Sequence, residues 1–379
     1  MNRYILAIAV LILVLLPACT GTPAAPQATI PESTLQTTAP PVTSPPETTP
    51  PETTRPPLNG WQQLSGQQYY YEDGIPHTGW LDLEGTRYYF SPNGVLHLGW
   101  LDLEEGRYYL TTQGPATSWQ QIDGTTHYFN IDGTLASGWI DADGLRYYLD
   151  DDGTPTTGWL HTAEGTYYFC PDGTMARGQV ETDRGTRYFT STGKEVILVN
   201  PWNQVPQDYS PTIVDYAGWQ VDASCRDALA QMLSDCEKAG HTAIVVSAYR
   251  THEYQTGLFQ RRIQRFMDEG YDREEAERLA AMRVARPGTS EHELGLAVDI
   301  VDAGYQNLNE KQETMPAQIW LMDNSWRYGF ILRYPNDMSD ETGIIYEPWH
   351  YRYVGTELAA ELHATGQCLE VYLASLTDP

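Results

Sequence analysis

The stretch Ser290-Glu291-His292-Glu293-Leu294-Gly295-Leu296-Ala297-Val298-Asp299 decides how the C-terminal half of this chain is read. Gly288 and Gly295 place His292 in a loop, and the apolar run over 296–301 reads as a strand. A loop that steps into a strand can bring an imidazole and a carboxylate seven residues apart to one point. Glu347-Pro348-Trp349-His350 adds a second imidazole and a second carboxylate, and Pro348 argues against a helix interior there. An open zinc site needs three protein ligands plus a water, and a carboxylate beside it to take the water's proton. On that reading His292, Asp299 and His350 are the ligands of Zn2+ and Glu347 is the base. The zincin helix H-E-x-x-H is absent, because Leu296 stands four residues after His292. Spacing alone leaves a metal site and a set of ordinary polar residues both open.

Upstream, Ile244-Val245-Val246 is strand-like and is followed by Ser247-Ala248-Tyr249-Arg250, which puts Arg250 at a strand end. Arginine offers a planar fork of donors suited to a free carboxylate. A structural salt bridge is its alternative role. Gln255 reads equally as a helix-surface residue, His252 as a bystander, and Ser290 as a cap on local backbone. Amphipathic helices are expected over 222–240, 254–270, 272–284 and 357–365, with Gly240 ending the first and Asp272 capping the third. Residues 200–379, about 180 in number, suffice for one core.

The N-terminus carries a processing signal over residues 1–19. Its apolar run, residues 5–16, is too short to span a bilayer comfortably. Leu16-Pro17-Ala18-Cys19 resembles a bacterial lipobox, which implies a lipid anchor on Cys19 at the extracellular face of the membrane; cleavage and release is the alternative. Residues 20–57 are rich in Thr and Pro, bury too little apolar surface to fold, and read as a disordered linker. At ~3.1 Å per residue a proline-stiffened spacer of this length reaches on the order of 100 Å.

Residues 58–199 form a seven-copy array. Trp61, Trp80, Trp100, Trp119, Trp139 and Trp159 recur at steps of 19 or 20, with Gln179 in the seventh slot. Each is followed by an aromatic pair or its remnant, from Tyr69-Tyr70 to Arg187-Tyr188, with a glycine between. One short β-hairpin per repeat cannot stand alone, so the copies are expected to stack into a solenoid. The repeats resemble the choline-binding and glucan-binding cell-wall repeats of Gram-positive surface proteins, where an aromatic cage holds a quaternary ammonium. The slot before each tyrosine pair, usually tryptophan in that pattern, here holds Gln68, Arg87, Arg107, Thr126, Arg146, Thr166 and Thr186. The resemblance implies attachment to a cell-wall glycan or teichoic polymer. The substituted slot argues against choline itself, and a rigid stalk is the other reading.

The formal net charge is −27, with −12 over 58–199 and −14 over 201–379. No basic stripe exists, so nucleic-acid binding is not expected, nor is simple attraction to anionic polymers. Cys225, Cys236 and Cys368 lack metal-ligand spacing. Cys225 and Cys236 stand too far apart on one helix to bridge, and a Cys225–Cys368 bond is the expected pairing in an oxidising exterior.

Four motifs in order carry a wider resemblance: Ser247-Ala248-Tyr249-Arg250, Pro287-Gly288-Thr289-Ser290-Glu291-His292 through Asp299-Ile300, Tyr328-Gly329-Phe330 through Pro335, and Tyr346-Glu347-Pro348-Trp349-His350. Over about 205–375 the chain resembles the VanY-type D-alanyl-D-alanine carboxypeptidases. The resemblance implies an α+β domain with a central, mainly antiparallel sheet. It implies zinc on His292, Asp299 and His350, with Glu347 as base. It further implies that Arg250, Gln255 and Ser290 hold the substrate's terminal carboxylate or polarise its scissile carbonyl. The implied reaction removes the terminal D-alanine from peptidoglycan stem peptides. An L,D-carboxypeptidase on tetrapeptide stems shares these motifs, and a non-catalytic wall-binding surface protein is the remaining alternative.

Overall fold

The structure, a computed structural model, describes residues 58–376. The signal over 1–19, Cys19 and the linker over 20–57 lie outside the described residues. The described chain divides into two compact units: 58–158 with 169–175, and 159–168 with 176–376.

The first unit is built of antiparallel hairpins. Trp61 pairs with Tyr70, Trp80 with Tyr89, Trp100 with Tyr109 and Trp119 with Tyr128. Four hairpins turn at two consecutive residues of positive φ: Ser65-Gly66, Glu84-Gly85, Asp123-Gly124 and Asp143-Gly144. That is the turn whose twist matches the strands it joins. Trp61, Trp80, Trp100 and Trp119 each also meet an aromatic ring of the next repeat edge-to-face, as Trp80 does with Tyr108 and Trp119 with Tyr147. The hairpins therefore share their aromatic packing, which no single hairpin could supply.

The second unit contains the last hairpin, Gly178–Thr182 with Gly185–Phe189, and the α+β domain. Its elements are β1 (Ile213–Tyr216), β2 (Trp219–Asp222), α1 (Ala223–Lys238), β3 (Ala243–Ser247), α2 (His252–Asp268), α3 (Arg273–Ala281), β4 (Ala297–Asp302), α4 (Pro316–Asn324), β5 (Phe330–Leu332), α5 (Ser339–Thr342), β6 (His350–Tyr353), α6 (Thr356–Thr365) and α7 (Leu369–Ser375). A four-stranded sheet runs β3-β4-β6-β5, antiparallel throughout. Helix α1 is capped by Asp222, whose carboxylate accepts from the Ser224 and Thr212 amides. Such caps contribute ~1 kcal/mol.

Two clusters fill the interior of this domain. One joins Cys225, Leu229 and Met232 of α1 to Val298 and Ile300 of β4, Phe330 and Tyr351. The other joins Val196 and Leu198, just after the last hairpin, to Ile331, Leu358, Leu362 and Leu373. At ~1.5–3 kcal/mol per fully buried large apolar side chain, these clusters hold the sheet rigid beneath its functional edge.

The expected Cys225–Cys368 bond does not form. Cys225, Cys236 and Cys368 are all free, buried thiols. Cys225 points from α1 into the first cluster, its Sγ 3.2 Å from the Asp222 carbonyl, whereas Cys368 caps α7. Each packs as a small apolar group.

Candidate metal centre

Sheet register assembles the site. Ser247 at the end of β3 pairs with Asp299 on β4, and Asp299 pairs with His350 at the start of β6. Three neighbouring strands thus present three functional positions side by side. The β3 register shifts between Val245 and Ser247, a bulge beside the site.

His292 arrives from a short 3-10 turn, Glu291–Leu294, that ends at Gly295. Gly295 sits at φ 73°, where a Cβ would lie 2.9 Å from Ile213 Cδ1 and 3.0 Å from the Asp222 amide nitrogen. Glu293 ties the loop down, accepting from the Gly288 amide and facing His252 Nδ1 at 2.9 Å. His252, read as a bystander, is thereby a loop partner. Ser290 is buried, and its side chain makes no cap bond to the turn it precedes.

The ligand atoms of His292, Asp299 and His350 all lie within 4.8 Å of one another, and all three residues are buried. His292 Nδ1 faces the Ala248 carbonyl at 2.7 Å, which fixes the proton there and turns Nε2 toward Asp299 Oδ2 at 3.3 Å. His350 presents Nδ1 to Asp299 Oδ1 at 3.0 Å. With bonds of ~2.1 Å, tetrahedral ligation separates neighbouring donors by about 3.4 Å. Two imidazole nitrogens and a carboxylate at these distances fit zinc.

Glu347 lies in the turn before β6, its Oε2 3.8 Å from His350 Nδ1. Burial pushes its carboxyl up to about 8. Burial pulls His292 down to about 4. Burial also opposes the charged form of His350, but the Asp299 and Glu291 carboxylates outweigh it and raise that imidazole to about 9. Asp299 is held well below the usual carboxylate range, because the opposing effect of burial is overcome by His292, His350 and Arg250.

Arg250 sits beside Asp299. Its Nη2 donates to Asp299 Oδ2 at 2.9 Å and to Ser247 Oγ at 2.8 Å, its Nε to Ser247 Oγ at 3.0 Å, and its Nη1 to Gln255 Oε1 at 3.4 Å. Gln255 is fully buried and donates to the Ala285 carbonyl, so it is no surface residue. All seven residues singled out in the sequence fall together, and six of them line one pocket of about 280 Å³; Gln255 stands behind it, against Arg250.

Sequence reasoning missed Glu291. Its Oε1 accepts from Arg333 Nε at 2.7 Å and Arg352 Nη1 at 2.9 Å, while Oε2 faces His350 Nε2 at 3.5 Å. Arg333 continues to Glu370, and Arg352 to the Ile197 carbonyl. The carboxylate is opposed by burial yet held below its usual range by the two guanidiniums. Arg333 and Arg352 are buried and so call for a carboxylate partner, but that burial is not readable from the sequence.

Fold and site together bring a carboxylate and two imidazoles around one point, with a second carboxylate alongside. Residues 218–356 match the family model of VanY, D-alanyl-D-alanine carboxypeptidase. Residues 116–154 match that of the choline-binding repeat, and 78–96 that of a cell-wall binding repeat. The chain therefore carries a VanY D-alanyl-D-alanine carboxypeptidase domain preceded by choline-binding repeats. It is 40% identical over 180 residues to a D-alanyl-D-alanine carboxypeptidase of Enterococcus faecalis, covering 47% of this chain and 65% of that one. It is 33% identical over 150 residues to one of Enterococcus faecium, covering 39% and 42%. The chain thus spans less than two thirds of the length of these relatives. A crystal structure of the vancomycin-resistance D,D-pentapeptidase VanY with Zn(II) aligns at 39% identity and TM-score 0.43, covering 47% of this chain and 97% of that one.

Proposed function

We propose that this chain is a zinc-dependent D,D-carboxypeptidase that removes the terminal D-alanine from peptidoglycan stem peptides at the cell surface. The observation that carries the reading is the convergence of His292 Nε2, Asp299 and His350 Nδ1 beside the buried Glu347 carboxyl.

These three residues would hold zinc, which supplies an acidified water and a Lewis acid for the peptide carbonyl. Glu347 accepts the water proton and returns it to the departing amine. Its burial keeps its basicity high enough for that exchange. Arg250, Gln255 and Ser290 hold the substrate end, with Gln255 locking the guanidinium against the site. The buried setting strengthens each of these interactions. An L,D-carboxypeptidase acting on tetrapeptides would use the same groups.

The reading is tested by incubating the protein with a pentapeptide ending in D-Ala-D-Ala and, separately, with the tetrapeptide. Products are followed by mass, with chelator and with zinc restored. Chelator-sensitive loss of one alanine from the pentapeptide is the expected result. Loss only from the tetrapeptide would move the assignment to L,D, and cleavage of neither would leave the wall-binding role alone.

The repeats serve in this reading as a wall-attachment solenoid, and Cys19 as a lipid anchor on the outer face of the membrane. Four tryptophan rings already carry a cation of the chain itself: Arg87 over Trp80, Arg107 over Trp100, Arg146 over Trp139 and Arg184 over Trp159, at 4.3–4.8 Å. Among the described residues no Lys or Arg covers Trp61 or Trp119. A quaternary ammonium therefore has those two rings, not six, to address.

A further inference from the structure

The catalytic pocket contains two cations that the reaction as described does not use. Arg262 and Arg283 both line it, with Arg250, Ser290 and Glu347. Arg262 is half-buried on α2, and Arg283 is exposed just beyond α3. Packing of Phe259 and Ile263 on Ala276 and Ala280 fixes the two helices together, and with them the two arginines. Neither guanidinium has a hydrogen bond or ion pair among the described residues. Arg262 is partly desolvated and repelled by Arg265 and Arg283, against the attraction of Glu269 and Glu347.

The chain has 50 acidic and 23 basic side chains, so counter-charges are abundant. Leaving two guanidiniums unpaired at the wall of a cavity keeps their forks free for an anion that comes from outside. Arg250 is set apart from this pair: Ser247, Gln255 and Asp299 orient it, and in the carboxypeptidase reading it meets the terminal carboxylate.

Position along α2 gives the place of that anion on the substrate. Arg262 follows Gln255 by seven residues, two helical turns on the same face, or about 10 Å. A peptide advances ~3.3–3.6 Å per extended residue. An anion at Arg262 therefore lies two or three residues before the terminal carboxylate.

We infer that Arg262 and Arg283 form a second anion site, which selects peptides with a free carboxylate two or three residues ahead of the C-terminus. The inference rests on the carboxypeptidase reading for the direction in which the peptide lies. It makes amidation of that upstream carboxylate a determinant of recognition.

The test uses the full chain, zinc-loaded, with Glu347→Ala to prevent turnover. Calorimetry compares γ-linked L-Ala-D-Glu-L-Lys-D-Ala-D-Ala having a free α-carboxylate on its D-Glu with the same peptide carrying a carboxamide there. The free acid is expected to bind about tenfold tighter at low salt. That advantage shrinks as salt rises and disappears in Arg262→Gln/Arg283→Gln, whereas Arg262→Lys/Arg283→Lys keeps part of it. Equal binding of the two peptides, a preference that survives loss of both arginines, or no binding of either would overturn the inference. Failure of the carboxypeptidase reading is seen separately, as a wild-type chain that shows the binding preference and cleaves neither peptide.

Discussion

His350 Nε2 and Glu291 Oε2 lie 3.5 Å apart, and each is buried with no hydrogen-bond partner. They face each other across the back of the metal centre, so a small closing movement gives the imidazole a carboxylate acceptor on Nε2. That arrangement leaves Nδ1 free to ligate and makes it more basic. Glu291→Gln is expected to weaken zinc binding 10- to 100-fold by chelator competition. It should also destabilise the fold by ~3–5 kcal/mol, since Arg333 and Arg352 lose their shared counter-charge. Zinc affinity equal to wild type in a folded variant would remove Glu291 from the site.

The Glu347 carboxylate stands 3.8 Å from His350 Nδ1, beyond ligand-bond or hydrogen-bond distance. Glu347→Ala should retain zinc at full stoichiometry while turnover falls at least ~10²-fold, the usual scale of a lost acid–base group. Retention of a near-normal rate would show the role to be misassigned.

The metal-free protein should lose stability as pH rises above about 6.5. Glu347, raised to about 8 by burial, holds its proton in the folded state long after the unfolded chain has released it. His350, raised to about 9, gives stability that is complete below its ordinary value and is lost as pH climbs through 9. In both cases the folded state binds more protons than the unfolded one, so stability falls with pH. Thermal unfolding from pH 6.5 to 9 in chelator tests this; a Tm that rises with pH would contradict it.

Gly295→Ala combines a left-handed backbone with a Cβ set 3.0 Å from the Asp222 amide nitrogen. A loss of about 2 kcal/mol or more is expected. Because this turn carries His292, zinc affinity should fall with it. Calorimetric unfolding measured beside metal titration checks both.

In the hairpin array, Arg107→Gln uncovers the Trp100 face. Choline should then quench tryptophan emission more than in wild type, and an unchanged titration would mean that the guanidinium does not occlude the ring.

Much of this was legible in the sequence, and for identifiable reasons. The Trp and Tyr spacing reports hairpins directly, because cross-strand pairing such as Trp80 with Tyr89 repeats with the chain. Helices α1, α2, α3 and α6 carry their own periodicity and capping signals. His292, Asp299, His350 and Glu347, singled out through motifs in fixed order, converge in the fold. Glu291 was hidden because its partners, Arg333 and Arg352, lie 42 and 61 residues away. Arg262 was hidden in a run of helix-surface charge, although its place two turns after Gln255 was a visible clue. The thiol pairing failed because periodicity shows that Cys225 faces the core but not whether Cys368, at the start of α7, packs beside it.

That last correction reaches beyond geometry. With Cys225, Cys236 and Cys368 reduced and sealed in the interior, the peptidase domain owes nothing to oxidative maturation. Burial pushes the Cys225 thiol up to about 12, so it offers almost no thiolate for mispairing or for reaction with oxidants. A domain of this kind can reach its native state without an isomerase, and can be produced in a reducing host without loss of its catalytic architecture.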